Sequence, residues 1–305
     1  MQSKAIQVTE FTKAYGDFVA VDEISFGVEQ GEVFGLLGPN GAGKTSTLEC
    51  LEGIRRPTKG RLDVMGVDPS REGRKLHDLI GVQLQTSGLP ATMKVDEAMR
   101  FFSAYHRVAP RYDLVDRLGL SEKHDSQYAE LSTGQQRRLA LALAVAHRPA
   151  VLFLDEPTAG LDVGSRSALH VLIRELQSEG TTIILATHDM AEAEKMADRV
   201  AILLQGKVVV TGTPRELTAT GEGFTKVSVR TERSLLCDNG IAFPAVHQRL
   251  VKDEYTVYFS RDPGPTVSAI LDYLTEKQDT LIDLRVERPS LEERFLEITH
   301  TGGMA

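Results

Sequence analysis

Eight consecutive residues, Gly38-Pro39-Asn40-Gly41-Ala42-Gly43-Lys44-Thr45, fit the spacing G-x-x-x-x-G-K-[ST], and each residue type in that spacing has a chemical task. Gly41 and Gly43 let the backbone wrap until several N–H groups converge on phosphate oxygens. A helix continuing through Ser46 would aim its positive N-terminal end at the same anion. Lys44 would neutralise charge on the β- and γ-phosphates, and the Thr45 hydroxyl would be a ligand to Mg²⁺. The apolar run Val33–Leu37 supplies the buried strand that must precede such a loop. A bound nucleotide is the chemistry that these residues predict.

Two further stretches carry related chemistry. Val151-Leu152-Phe153-Leu154 is an apolar run that ends in two carboxylates, Asp155 and Glu156. At the exit of a buried strand Asp155 would hold Mg²⁺ directly or through a water. Glu156 would then polarise an attacking water as general base. Ser132-Thr133-Gly134-Gln135 opens an apolar helix through Leu139, Leu143 and Ala146. Ser132 is a good N-cap and Gln135 completes a capping box. A helix N-terminus of this kind can bind phosphate. A capped helix that binds nothing has the same local sequence, so these residues alone leave both readings open.

These groups need elements to position them. Ile6 and Val8, then Ile24, Phe26 and Val28, alternate with polar residues, the period of antiparallel strands with one solvated face. Val33–Leu37, Val151–Leu154 and Ile183–Ala186 are instead continuously apolar, as strands buried on both faces of a parallel sheet are. Between the last two, Leu169, Leu172, Ile173 and Leu176 repeat at helical spacing, and Gly180 stands at a helix C-terminus. Strand–helix alternation predicts a layered α/β domain. Val95, Met99, Phe102 and His106 suggest a helix within a mostly helical insertion at about 90–148. Residues 1–215 are read as the first domain. Beyond the polar stretch after Thr213, residues 222–305 are read as a small α+β domain. It has strands near Lys226–Val229, Tyr255–Phe259 and Leu281–Val286, and helices near Val267–Lys277 and from Ser290.

Taken together, the motifs resemble those of the ATP-binding subunits of ABC (ATP-binding cassette) transporters. Leu131-Ser132-Thr133-Gly134-Gln135 resembles the ABC signature, and it stands a short way before the acidic strand, as in that family. Thr133 replaces a glycine that is more usual there, and a β-branched residue resists positive φ. Tyr15 is similar to the aromatic residue that stacks on adenine. Gln85 resembles the Q-loop glutamine, a further Mg²⁺ ligand, with Gln83 in the same strand-like run, Ile80 to Gln85, as the alternative. Ala159-Gly160-Leu161-Asp162 resembles the D-loop, and His188 the switch histidine that contacts γ-phosphate. The resemblance covers roughly Ile6 to Thr213. It implies a P-loop NTPase fold, with a RecA-like core, antiparallel β and helical subdomains, that binds ATP and Mg²⁺. It further implies a head-to-tail homodimer in which each ATP is closed between one subunit's phosphate loop and the other's signature. The segment Pro289–Thr299 is similar to the end of ATP-binding subunits of ABC-2-type exporters of the drug-resistance subfamily, whose permease is a separate chain.

Composition narrows the setting. The chain has 305 residues, with 35 basic against 43 acidic side chains and a net charge of −8. That balance argues against a nucleic-acid partner, which would need a basic face. Cys50 and Cys237 have neither metal-ligand spacing nor a disulfide framework, so a reducing compartment is expected. The N-terminus has no signal-peptide core, and the longest apolar stretch, Leu139–Ala146, is far shorter than a membrane helix. The resulting expectation is a peripheral subunit at the cytoplasmic face of the membrane. The rival is a soluble ABC ATPase of ribosomes, DNA repair or metal-cluster assembly. A single cassette, with only 87 residues between Lys44 and Ser132, favours transport.

Overall fold

The computed structural model describes residues 4–83, 88–219, 224–237 and 241–302. The chain divides between Pro214 and Arg215 into two compact units. The first unit begins with β1 (Lys4–Tyr15) and β2 (Phe18–Glu29), followed by β3 (Val33–Leu37), α1 (Lys44–Leu51) and β4 (Lys59–Val64). Next come α2 (Gly73–Leu79), β5 (Ile80–Gln83), α3 (Val95–Tyr105), α4 (Tyr112–Arg117) and α5 (Thr133–Val145). The rest of the unit is β6 (Val151–Asp155), α6 (Val163–Ser178), β7 (Thr182–Thr187), α7 (Met190–Met196), β8 (Arg199–Leu204) and β9 (Lys207–Gly212). α8 (Pro214–Ala219) spans the division.

The alternating N-terminal strands form an antiparallel sheet in the order β2-β1-β4. The continuously apolar strands form a second sheet, in the order β5-β6-β7-β3-β8-β9, parallel except for β9. Why those runs lack polar residues is visible in the core. Phe34, Leu36, Phe153, Ile184 and Ala186 pack with the antiparallel sheet and α1. Val33, Leu152, Leu154, Ile183 and Leu185 pack on the other face with residues of α3, α4, α5 and α6. A strand with both faces covered gains from an apolar residue at every position.

The helical region is a layer of its own. The apolar stripe of α3, Val95, Ala98 and Met99, is buried together with Leu114 and Val115 of α4 and Leu139, Leu141, Ala142 and Val145 of α5.

The second unit contains β10 (Thr225–Thr231), β11 (Val246–Lys252), β12 (Tyr255–Ser260), α9 (Pro263–Glu276), β13 (Leu281–Glu287) and α10 (Leu291–Gly302). Its antiparallel sheet has the order β11-β12-β10-β13. Val227, Val229 and Tyr258 pack there with Ile270 and Leu274 of α9. The capping box expected at Ser290 forms, with Glu293 N donating to Ser290 Oγ at 3.2 Å and Ser290 N donating to Glu293 Oε2 at 3.2 Å.

Four strands have no counterpart in the sequence reading. β4 and β11 are mainly polar and exposed, and β9 is an edge strand whose Val208, Val209 and Val210 do not alternate with polar residues. β8 is apolar and buried but short, and periodicity cannot separate such a run from a buried helix segment.

Candidate functional site

The parallel sheet sets the three chemical stretches side by side. β7 lies between β3 and β6, and in register Leu37 is opposite Thr187 while Ala186 is opposite Asp155. The phosphate loop, the acidic pair and His188 therefore leave the carboxyl ends of neighbouring strands at one level, where α/β sheets place ligands.

The loop needs its glycines. A Cβ on Gly38 would lie 2.3 Å from Leu203 O, and one on Gly43 would lie 2.6 Å from Ala20 O. Gly43 has φ 103°, in a region that L side chains avoid, and no side chain caps the N-terminus of α1 that follows. Lys44 is buried, and its Nζ donates to Gly38 O at 2.7 Å and to Pro39 O at 3.3 Å. That Nζ also lies 3.7 Å from Glu156 Oε1. Burial pulls Lys44 below the usual lysine pKa, and the Glu156 and Asp155 carboxylates work against that shift. Thr45 Oγ1 donates to Asp155 Oδ2 at 3.0 Å. Burial holds the Asp155 carboxyl above its ordinary pKa, opposed by the Thr45 hydrogen bond and by Lys44.

Glu156 is 7% exposed and has φ 50°, left-handed for a residue with a side chain. Its Oε1 accepts from the His188 backbone N at 3.1 Å and stands 2.8 Å from His188 Nδ1. Thr187 Oγ1 donates to its Oε2 at 3.3 Å. With Nδ1 facing the carboxylate, Nε2 is the other working end of the ring. The His188 side chain is 56% exposed, so that end can meet a ligand.

A cavity of about 210 Å³ is lined by Tyr15, Phe18, Asn40 to Ser46, Asp155 and Glu156. The Tyr15 hydroxyl is 3.3 Å from Ser46 Oγ, and Lys13 Nζ and Arg55 Cζ lie 4.8 and 5.4 Å from its ring centroid. A larger, mainly apolar cavity of about 390 Å³, lined among others by Ile80, Phe102, Tyr105 and Leu143, shares no lining residue with the smaller one.

The chain matches the ABC transporter family over residues 21–159. It is 34% identical over 307 residues to the Nod factor export ATP-binding protein I of Paraburkholderia xenovorans, covering 98% of each chain. The chain belongs to the ATP-binding proteins of ABC transporters. The Daunorubicin resistance ATP-binding protein DrrA3 of Streptomyces coeruleorubidus is 33% identical over 312 residues, covering 98% of this chain and 97% of that one. The Escherichia coli protein named Probable multidrug ABC transporter ATP-binding protein YbhF is 37% identical over 220 residues. This chain spans 38% of that protein's length. A solved ATP-binding subunit of an ABC transporter superposes with TM-score 0.66 at 25% identity, over 70% of this chain and 91% of that one. The cbiO1 structure from Clostridium perfringens gives TM-score 0.60 at 32% identity, over 72% and 92%. Members of this family bind ATP and are ATPases.

Other motif residues of this ABC protein lie apart from that cluster or outside the described residues. Ser132 and Gln135 form the expected capping box: Gln135 N donates to Ser132 Oγ at 3.3 Å and Ser132 N to Gln135 Oε1 at 2.9 Å. Thr133 and Gly134 lie in the first turn of α5 and neither has positive φ, so the β-branched residue meets no backbone conflict. Asp162 caps α6, accepting from Ser165 N at 3.0 Å and Ser165 Oγ at 2.6 Å, and those bonds depress its pKa. Gln85 lies outside the described residues, while Gln83 ends β5 and is buried. Cys50 is buried on α1, and burial pushes its thiol up to about 11, as suits a packing residue.

Two residues of the site escaped the sequence reading. Phe18 is only three residues from Tyr15, but nothing in its spacing sets it apart from an ordinary strand aromatic. Arg137 donates from Nη1 to the Glu156 carbonyl oxygen at 2.7 Å. That link joins α5 to the end of β6 across 19 residues of sequence, and only the fold reveals it.

Proposed function

We propose that this chain is the ATP-hydrolysing subunit of an exporter, working as a head-to-tail homodimer beneath a separate ABC-2-type permease at the cytoplasmic face of the membrane. The observation that carries this reading is the level register of β3, β7 and β6, which sets Lys44, Asp155 and Glu156 around one cavity and His188 against Glu156. ATP would lie with its phosphates on the loop from Gly38 to Ser46 and its adenine on Tyr15. The glycine cradle and the uncapped N-terminus of α1 suit an anion, and the paired oxygens of Thr45 and Asp155 suit a hard cation. Thr45 and Asp155, with Gln85, would hold Mg²⁺, which when bound supplies positive charge to the β- and γ-phosphates.

Glu156 then takes the proton of the attacking water, and His188 steadies both Glu156 and the γ-phosphate. Residues Ser132 to Gln135 of the second subunit would close over the same ATP, and Asp162 would lie at that interface. ATP then acts as an anionic bridge between two helix N-termini, and hydrolysis removes it. Opening and closing of that bridge would drive transport. Export is supported by the Nod factor and daunorubicin-resistance relatives, whose similarity runs through the second unit as well as the first. Among the described residues no helix is long and apolar enough to cross a membrane, so the pathway itself would belong to another chain. No nucleic-acid partner is proposed.

The test is purification of the tagged chain from detergent-solubilised native membranes, with identification of what accompanies it. A multi-span membrane protein is the expected companion. Recovery only from the soluble fraction, bound to ribosomes or nucleic acid, would replace transport with the rival role.

A further inference from the structure

We propose that Arg137 is a positioning residue that ties the general base of one nucleotide site to the helix whose N-terminus closes the opposite site. The proposal rests on the head-to-tail reading above.

The starting point is the backbone of Glu156. Its φ of 50° is sparsely populated for a residue with a side chain, and such a conformation persists only where surrounding contacts over-determine it. Most of those contacts come from one side. Glu156 N donates to Ala186 O at 2.9 Å, and the carboxylate is held by Thr187 and His188, all on or just after β7. The carbonyl oxygen accepts from Ala159 N within its own turn at 3.3 Å. The remaining hydrogen bond comes from a different layer of the domain: Arg137 Nη1 on α5, at 2.7 Å.

Arg137 is suited to this task. It is half-buried, and its planar donors fix a direction as well as a distance. It stands two residues beyond Gln135, whose capping box with Ser132 makes the first turn of α5 a stiff unit. Five residues of helix separate Ser132 from Arg137, about 7.5 Å of axial rise. Seating of Ser132 to Gln135 on the opposing phosphate therefore moves Arg137 with it. A displacement of about 1 Å is enough to break a hydrogen bond of 2.7 Å, since contacts beyond about 3.5 Å no longer count as one. The geometry thus couples the position of Glu156 to the seating of its own subunit's signature across the dimer, so the two sites fire interdependently.

The experiment compares the full-length wild type with Arg137→Met, Arg137→Lys and Glu156→Gln. It measures ATP affinity with a fluorescent ATP analogue, turnover as a function of ATP concentration, and thermal stability. Loss of one charge-assisted hydrogen bond predicts a kcat about 10- to 100-fold lower in Arg137→Met. ATP affinity should stay within about threefold, because the phosphate loop is untouched, and the Hill coefficient should fall toward 1. Arg137→Lys should recover part of both kcat and cooperativity. An Arg137→Met protein with wild-type kcat and Hill coefficient, alongside an inactive Glu156→Gln, would overturn this proposal alone. Near-normal turnover in Glu156→Gln would overturn the general base and this proposal together. A kcat loss that follows thermal stability across both Arg137 variants, with cooperativity intact, would reduce Arg137 to a structural contact.

Discussion

Replacing Glu156 with glutamine keeps the shape of the side chain and removes its charge and its capacity to take a proton. The amide oxygen can still accept from the His188 backbone N and Nδ1, now 3.1 and 2.8 Å from Oε1, and the amide nitrogen can donate to the Thr187 hydroxyl. The hydrogen-bond frame should therefore survive. The ion pair with Lys44, at 3.7 Å, is lost; with an effective dielectric of about 20 its Coulomb term is about 4 kcal/mol. That attraction competes with phosphate for the lysine, so its removal should leave ATP affinity unchanged or tighter. Loss of a positioned general base should slow turnover about 10²- to 10⁴-fold, a barrier increase of roughly 3–5 kcal/mol. Phosphate release at saturating ATP, isothermal titration with ATP and size-exclusion chromatography read these three consequences. The expected protein binds ATP, hydrolyses it at least about a hundredfold more slowly, and accumulates as an ATP-bound dimer. Turnover within about threefold of wild type would refute the assignment of Glu156 as base.

Lys44→Ala removes a buried cation from the phosphate loop and should weaken ATP binding at least about a hundredfold, measured by titration calorimetry; retained affinity would contradict the phosphate-loop assignment. Gly43→Ala places a Cβ 2.6 Å from Ala20 O at a φ of 103°. Strain of about 1–3 kcal/mol should lower both its melting temperature and its ATP affinity. Glu52 is buried, and desolvation pushes its carboxyl up to about 8 from 4.5. Below pH 4.5 it is protonated whether the chain is folded or not. Between about pH 4.5 and about 8 the unfolded chain releases the proton that the folded chain keeps, so stability falls as pH rises. Glu52→Gln should accordingly melt higher than wild type at pH 8–9, with the gap closing toward pH 5. An equal gap at both pH values would exclude this ionisation as its source.

Much of the architecture was legible because local physics and global packing agree. Continuous apolar runs at Val33, Val151 and Ile183 identify strands covered on both faces, and the loop from Gly38 to Thr45 carries its chemistry within eight residues. The capping boxes at Ser132 and Ser290 were readable for the same reason: all their partners lie within one helical turn. Edge strands such as β9 and β11 were not legible. Their role is to pair backbone with a neighbour, and solvent on one side leaves their side chains free of pattern.

The sequence by itself determined which groups exist: a phosphate loop, a pair of carboxylates after a strand, a histidine after another, and a second helix N-terminus. The meeting of the first three was decided by the tertiary structure alone. Strand order is not encoded locally. β7 runs between β3 and β6 although it follows both in the chain, and that insertion places His188 against Glu156 and Glu156 within reach of Lys44. The left-handed backbone at Glu156 and its link to Arg137 have the same origin, since contacts between distant segments exist only once the layers have packed.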